Sequence, residues 1–277
     1  LINVIGAQFI FSKLIRFIRP YTDHRVLAIG MIAYANAIPA LLTASTLAIW
    51  LKEYGLSYSA IGLFSLVHLP YNFKFLWAPI LDQARLPILG NIMGQRRSWL
   101  FLLQLICILC LLWMAQLNPD ENLMGFITLS VLTSVAAASQ HVLLLAYQVQ
   151  TFESREWGVG EGMSVFGFRM GLLSSGAGAL YLATILPWCW VYTVLAGVMT
   201  LALLVVLLIP EPQVLHEIEY TKEEHLKDRV AAWFKNVFLK AYKDFTQRNG
   251  WVWLLVFMMV YRLPDHLLGP LPSLFLL

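Results

Sequence analysis

Charge is what this sequence has least of: only 13% of its 277 residues are Asp, Glu, Lys or Arg, where a soluble domain carries about a quarter. Its three cysteines are too few to staple a fold. Cys107 and Cys110 form a C-x-x-C inside an apolar run, without the polar access or further ligands that a redox pair or a metal centre needs. They read as small packing residues. His68 and His141 fall in apolar runs with no nucleophile, metal-ligand spacing or glycine-rich phosphate loop beside them, so neither an enzyme nor a bound cofactor is expected. A removable signal peptide is missing as well. The first 18 residues are apolar but interrupted by Asn3, Gln8, Ser12, Lys13 and Arg16, with no small-residue cleavage pattern after them. They read as an amphipathic lead-in lying against a membrane.

What is present is hydrophobic: 59% of the chain, gathered into runs of spanning length. A hydrocarbon core about 30 Å thick needs roughly 20 mostly apolar helical residues. Seven such runs are expected, over residues 26–51, 59–81, 99–116, 123–147, 162–186, 188–209 and 251–277. None shows the short alternation of a membrane barrel. The expected fold class is therefore an all-α polytopic membrane protein. Its expected parts are a juxtamembrane segment (1–25), six helices (26–209), a polar connection (210–250) and one further helix (251–277).

Basic residues set the orientation. With the N-terminus inside, inner segments hold Lys13, Arg16, Arg19, Arg25, Arg85, Arg96, Arg97 and Arg155, and seven more between residues 222 and 248. Lys52 alone lies outside. This bias predicts a cytoplasmic N-terminus, and it explains the basic residues without a nucleic-acid partner. In the polar connection Leu226, Val230, Trp233, Val237, Ala241 and Phe245 recur at helical spacing among lysines. That pattern suits an amphipathic helix on the inner membrane surface, with a solvated linker as the alternative. Six helices, a long inner connection and a seventh helix are the layout of one half of a two-half transporter followed by the start of the other. The chain begins with Leu1 and stops at Leu277 without a polar cap, so a fragment is expected.

Charged groups inside hydrocarbon are costly and mark candidate sites. Lys74 lies eight residues before Asp82, Arg169 about seven residues into the fifth span, and His141 six residues before the end of the fourth. At 1.5 Å per residue all three sit roughly 9–12 Å from the cytoplasmic surface. A shared cavity accepting an anion would explain this common depth, while snorkelling of the cations and a backbone bond from the histidine would explain it without one. Asn36 and Pro39 fall near mid-membrane in the first span, where proline frees a carbonyl. Arg262 and Asp265 stand three residues apart around Pro264. They are spaced to pair as a structural link, or Asp265 serves as a proton carrier. In the fifth span Gly167, Gly171, Ser175 and Ala179 form a small-residue stripe for close helix approach.

The run Phe73-Lys74-Phe75-Leu76-Trp77-Ala78-Pro79-Ile80-Leu81-Asp82 resembles the signature of AmpG-type muropeptide permeases, to which eukaryotic acetyl-coenzyme A transporters are related. Thr46 to Leu51, Arg96-Arg97-Ser98-Trp99-Leu100, the stretch from Ser164 to Leu180, and Tyr261-Arg262-Leu263-Pro264-Asp265 agree with it in the same order. The resemblance implies a major facilitator fold in a bacterial inner membrane. It further implies proton-driven import of anhydromuropeptides, whose carboxylates suit cationic Lys74 and Arg169. Asn36 and Gln140 are further expected substrate contacts, His141 and Asp265 the expected proton-coupling groups, and Asp82, Arg96, Arg97, Gly167 and Gly171 structural motif residues. Expected partners are the lipid bilayer, the anionic substrate, protons and a second half that is separately encoded. The chain departs from the family's fourth-span Gln-Asp-x-x-x-Asp-Ala: Gln140, His141, Leu145 and Ala146 stand there, so both aspartates are gone. The alternative is a truncated remnant or accessory membrane subunit that does not transport.

Overall fold

The computed structural model describes residues 19–55, 65–118, 121–212 and 249–268, together with 243, 246 and 247. The expected lead-in over 1–18 and most of the amphipathic connection lie outside these residues. Every regular element among the described residues is helical. Four stretches are long and apolar enough to cross a membrane: His24–Glu53, Gln95–Met114, Leu123–Thr151 and Trp188–Leu208.

The first span divides into α1 (His24–Leu42) and α2 (Ser45–Glu53). Asp23 caps α1, its carboxylate accepting from the Arg25 amide at 2.9 Å, which satisfies one of the amides a helix start leaves open. Pro39 sits inside α1, and the Thr43 hydroxyl donates to the Pro39 carbonyl at 2.8 Å. Tyr192 donates to the Leu42 carbonyl at 2.7 Å. The Pro39 carbonyl also accepts from the Thr43 amide at 3.0 Å, and the Tyr192 hydroxyl serves the Leu42 carbonyl at the break, as membrane interiors require.

The second span is not one regular helix. Pro70 and Pro79 open short α-helical pieces, α3 (Leu69–Phe73) and α4 (Ala78–Gln83), and 3-10 turns occupy Ser65–His68 and Lys74–Leu76. After α5 (Leu89–Met93) comes α6 (Gln95–Met114), then α7 (Leu123–Thr151). The fifth span starts at Trp157 rather than near residue 162. It runs as α8 (Trp157–Leu173), a π turn over Ser174–Gly178 and α9 (Ala179–Ala183). α10 (Trp188–Leu208) completes the group. α11 (Trp251–Leu268) belongs to a separate unit and is described by itself.

α1 is the centre of the packing, with α7, α8 and α10 against it. The small-residue stripe explains the closest of these approaches. A methyl group on Gly167 would lie 2.1 Å from the Gly30 carbonyl oxygen, and one on Gly171 would lie 2.3 Å from that of Tyr34. Only glycine lets the two backbones meet there. Farther along the same face, Tyr34 donates to Ser174 Oγ and Thr46 to the Ser175 carbonyl, both at 2.8 Å. The π turn is thus bonded to the broken first span.

α6 begins four residues before the expected apolar start, for a reason the sequence pattern hides. Arg96 and Arg97 fall in its first turn, where cations oppose the helix dipole. Glu211 compensates: its carboxylate accepts from the Arg96 amide at 2.7 Å and from the Arg97 amide at 3.0 Å. Gly94 makes room for it, at φ +88°, since a Cβ there would come within 2.4 Å of Glu211 Cδ. The Arg97 guanidinium in return donates to the Val206 and Leu207 carbonyls at the end of α10, the end that favours a cation. Arg96 is buried, bonded to Asp82 and, at 3.1 Å, to Gln150 Oε1.

Candidate functional site

Lys74 and His141 come together. Lys74 Nζ lies 3.1 Å from His141 Nδ1, and both residues are half-buried. The local sequence explains the meeting. Proline ring constraints at Pro70 and Pro79 bracket the Lys74–Leu76 turn. Trp77 then ties that turn to α7, its indole N–H donating to Ser139 Oγ at 2.9 Å. Two residues on, the His141 ring stands edge-on to Phe168 of α8, with 6.1 Å between centroids. Arg169, the next residue of α8, is exposed and makes no hydrogen bond or ion pair with another described residue. The site is a half-buried ammonium and imidazole in contact, with a free guanidinium on the helix alongside.

Asn36 and Gln140 lie deeper, and both are fully buried. Asn36 Nδ2 donates to the Ala137 carbonyl at 2.8 Å and to Gln140 Oε1 at 3.4 Å. Gln140 Nε2 donates to Gln104 Oε1, and Gln104 Nε2 to the Met199 carbonyl at 3.0 Å. This is a polar chain through α1, α7, α6 and α10. Interhelical amide bonds of this kind hold membrane bundles together. Asn36 Oδ1 is buried with no partner. Gln104 was not among the expected residues, although a glutamine at the centre of an apolar run was its visible signal.

His68 does not join His141. It stacks on Tyr71 at 5.5 Å between centroids, and His68 Nε2 and the Tyr71 hydroxyl are buried without partners. Asp82 and Arg96 are bonded to each other, Arg97 bonds the end of α10, and Gly167 and Gly171 lie against α1. Arg262 and Asp265 fall on α11, and their side chains lie outside the described positions.

At the opposite end aromatic rings close the bundle. Trp50 stacks on Trp188 at 5.7 Å and meets Tyr192 and Phe126 at 4.8 and 5.1 Å. The Trp188 indole donates to Glu53 at 2.6 Å.

Comparison with known proteins fits this architecture. The chain is 33% identical over 261 residues to the "Putative transporter AmpG 2" of Rickettsia bellii, covering 94% of the chain and 61% of that protein. It is 29% identical over 260 residues to the "Putative transporter AmpG 4" of Rickettsia conorii, covering 93% and 61%. To the "Anhydromuropeptide permease" of Escherichia coli K12 it is 30% identical over 264 residues, covering 95% of the chain and 50% of the relative. The chain thus spans between half and about three-fifths of the length of these relatives. The resemblance seen in the sequence motifs is borne out at the level of these names. The family model for the Major Facilitator Superfamily matches residues 25–276, and with that match the chain belongs to the Major Facilitator Superfamily of membrane transporters.

Proposed function

We propose that this chain forms one half of a permease that carries anhydromuropeptides inward across a bacterial inner membrane, with its N-terminus in the cytoplasm. The observation that carries the reading is the cationic site: Lys74 held against His141 at 3.1 Å with Arg169 exposed on the adjoining helix. A peptide carboxylate is a natural ligand for an ammonium and a guanidinium. The name of the Escherichia coli relative, at 30% identity, supports the choice of muropeptides over other anions. Lys74 and Arg169 are the proposed anion contacts. Asn36 and Gln140, bonded to each other, form the polar layer behind them. The site of a major facilitator lies between two halves, and the shorter span relative to these relatives is the reason for invoking a second half. Proton coupling is part of the proposal, with His141 and Asp265 as carriers.

Uptake of labelled anhydromuropeptide by permease-deficient cells tests this. Co-expression with a second half is expected to restore uptake, and Lys74→Ala to reduce it at least tenfold, the scale of one lost charge-assisted bond at about 1.5–3 kcal/mol. Full uptake by the Lys74→Ala protein would remove the lysine from the site.

A further inference from the structure

A single turn of helix between the second and third spans displays an apolar pair beside a cation. The turn is closed by the Gly90 amide, which donates to the Leu86 carbonyl at 2.9 Å, and by Asn91 Nδ2, which donates to the Pro87 carbonyl at 2.8 Å. Gly90 is its buried side, with the aliphatic stem of Arg85 over it, since a Cβ there would meet Arg85 Cγ at 3.6 Å. Ile88, just before α5, and Ile92, one turn on, form the outer side and are 74% and 75% exposed. Arg85 is exposed and has no hydrogen-bond or ion-pair partner among the described residues. The charge here is of one sign. No Asp or Glu occurs from Gln83 to Asn118, and Asp82 is already bonded to Arg96.

The height of this turn is fixed by α6. Gln95 Nε2 donates to the Asp82 carbonyl at 2.6 Å, and the indole of Trp99, one turn into the spanning helix, donates to the Ala84 carbonyl at 2.7 Å. The connection therefore starts level with the first turn of α6, and α5 packs back against that helix, so it lies along the membrane boundary. An apolar pair flanked by a basic residue at this depth is the pattern of a segment lying in the headgroup region. We propose that residues 84–94 form an in-plane lipid anchor, in which Ile88 and Ile92 enter the acyl boundary of the leaflet and Arg85 binds the phosphate of an anionic phospholipid. A guanidinium suits phosphate by its paired donors, and a basic side chain at a membrane surface draws anionic lipid electrostatically. The anchor ties the end of α4 and the start of α6, joined by the Asp82–Arg96 bond, to one lipid surface. That this leaflet is the cytoplasmic one rests on the orientation proposed above.

Fluorescence quenching on the full chain, in nanodiscs of phosphatidylethanolamine and phosphatidylglycerol, tests this. A nitrobenzoxadiazole label is placed on Ile88→Cys, on Ile92→Cys or, as a control in the exposed turn after α7, on Ser154→Cys. Each variant carries Cys189→Ser, while Cys107 and Cys110 are buried. Nitroxides near the top of the lipid acyl chain are expected to quench the labels at 88 and 92 several times more than the label at 154, and aqueous iodide to quench them several times less. If 88 and 92 respond like 154, the turn lies in water and the proposal fails. If neither quencher reaches them, another protein surface covers the isoleucines and the proposal fails equally. For the phosphate contact, phosphatidylglycerol and phosphatidylcholine bearing the same nitroxide are compared at the 88 label. Phosphatidylglycerol is expected to be enriched roughly fivefold, the weight of one basic residue at a charged surface. Most of that excess should be lost in Arg85→Gln and kept in Arg85→Lys. An excess unchanged in Arg85→Gln overturns the phosphate contact. The assay contains no substrate and has lipid on both sides, so its failure leaves the permease reading and its orientation as they stand.

Discussion

Replacing Gly167 by alanine places a methyl carbon 2.1 Å from the carbonyl oxygen of Gly30 and 3.1 Å from its Cα. An ordinary carbon–oxygen contact is near 3.4 Å, so α8 must back away from α1 by roughly 1 Å. Both obstacles are backbone, and neither can rotate aside. Gly171, one turn on, faces the same obstruction from the Tyr34 carbonyl at 2.3 Å, so a local tilt that relieves one position tightens the other. Overpacking of this kind costs about 1–3 kcal/mol, and separating the helices also strains the Tyr34–Ser174 and Thr46–Ser175 bonds beyond them. About 2–3 kcal/mol is expected for either single substitution, with less than the sum for the pair because one displacement serves both. The comparison is Gly158→Ala in α8 and Gly197→Ala in α10, where an added Cβ meets nothing within 4 Å. Those should be neutral or stabilising by up to about 1 kcal/mol, the helix-propensity difference. Unfolding in mixed micelles of rising SDS fraction, followed by the fluorescence of the ten tryptophans, reads all four variants on one scale. If Gly167→Ala and Gly158→Ala shift the midpoint alike, the close approach of α1 and α8 is not what these glycines serve.

Glu211→Gln keeps an acceptor but loses the charge, and should destabilise by about 1–2 kcal/mol in the same assay. Gly94→Ala should cost at least as much, since the position combines φ +88° with the Glu211 contact. Gln104→Leu leaves a buried Gln140 amide donor without its acceptor and should cost about 1–2 kcal/mol, while the Gln104→Leu/Gln140→Leu double variant costs less than the two singles added. The Asp23 carboxyl is held below the usual carboxylate range by hydrogen bonds from the Arg25 side chain and amide. A depressed carboxylate stabilises above its ordinary pKa and loses that contribution as pH falls through its folded value. The destabilisation by Asp23→Ala should therefore be full at pH 7 and shrink below about pH 4, and a difference that persisted at pH 2 would refute the capping role.

The positions of the spans were legible because length and apolarity are local properties. The first, third, fourth and sixth spans lie where their hydropathy put them. Less legible was anything held by a distant partner. The start of α6 was misread by four residues because two arginines look like the edge of a membrane, and their compensation by Glu211 is more than a hundred positions away. The breaks at Thr43–Ala44 and over Ser174–Gly178 depend on hydroxyls from other spans. Depth counting brought Lys74 and His141 to one level, and they touch. It could not separate Gln140 from His141, because adjacent residues on a helix point about 100° apart, and Gln140 turns into the core.

The clasp between Glu211 and Gly94 also moves a boundary. By hydropathy the six-helix half ends at residue 209, where the last apolar run gives out. The groups that fasten α6 and α7 to the end of α10 continue past that point: Pro210 accepts from the Tyr147 hydroxyl of α7 at 2.9 Å, and Glu211 holds the two amides of α6. A cut at 209 would spare every spanning residue yet release α6 and α7 from the end of α10. A cut after Pro212 would leave them joined. The edge of this half is therefore set by a carboxylate two residues beyond the last apolar residue of the run.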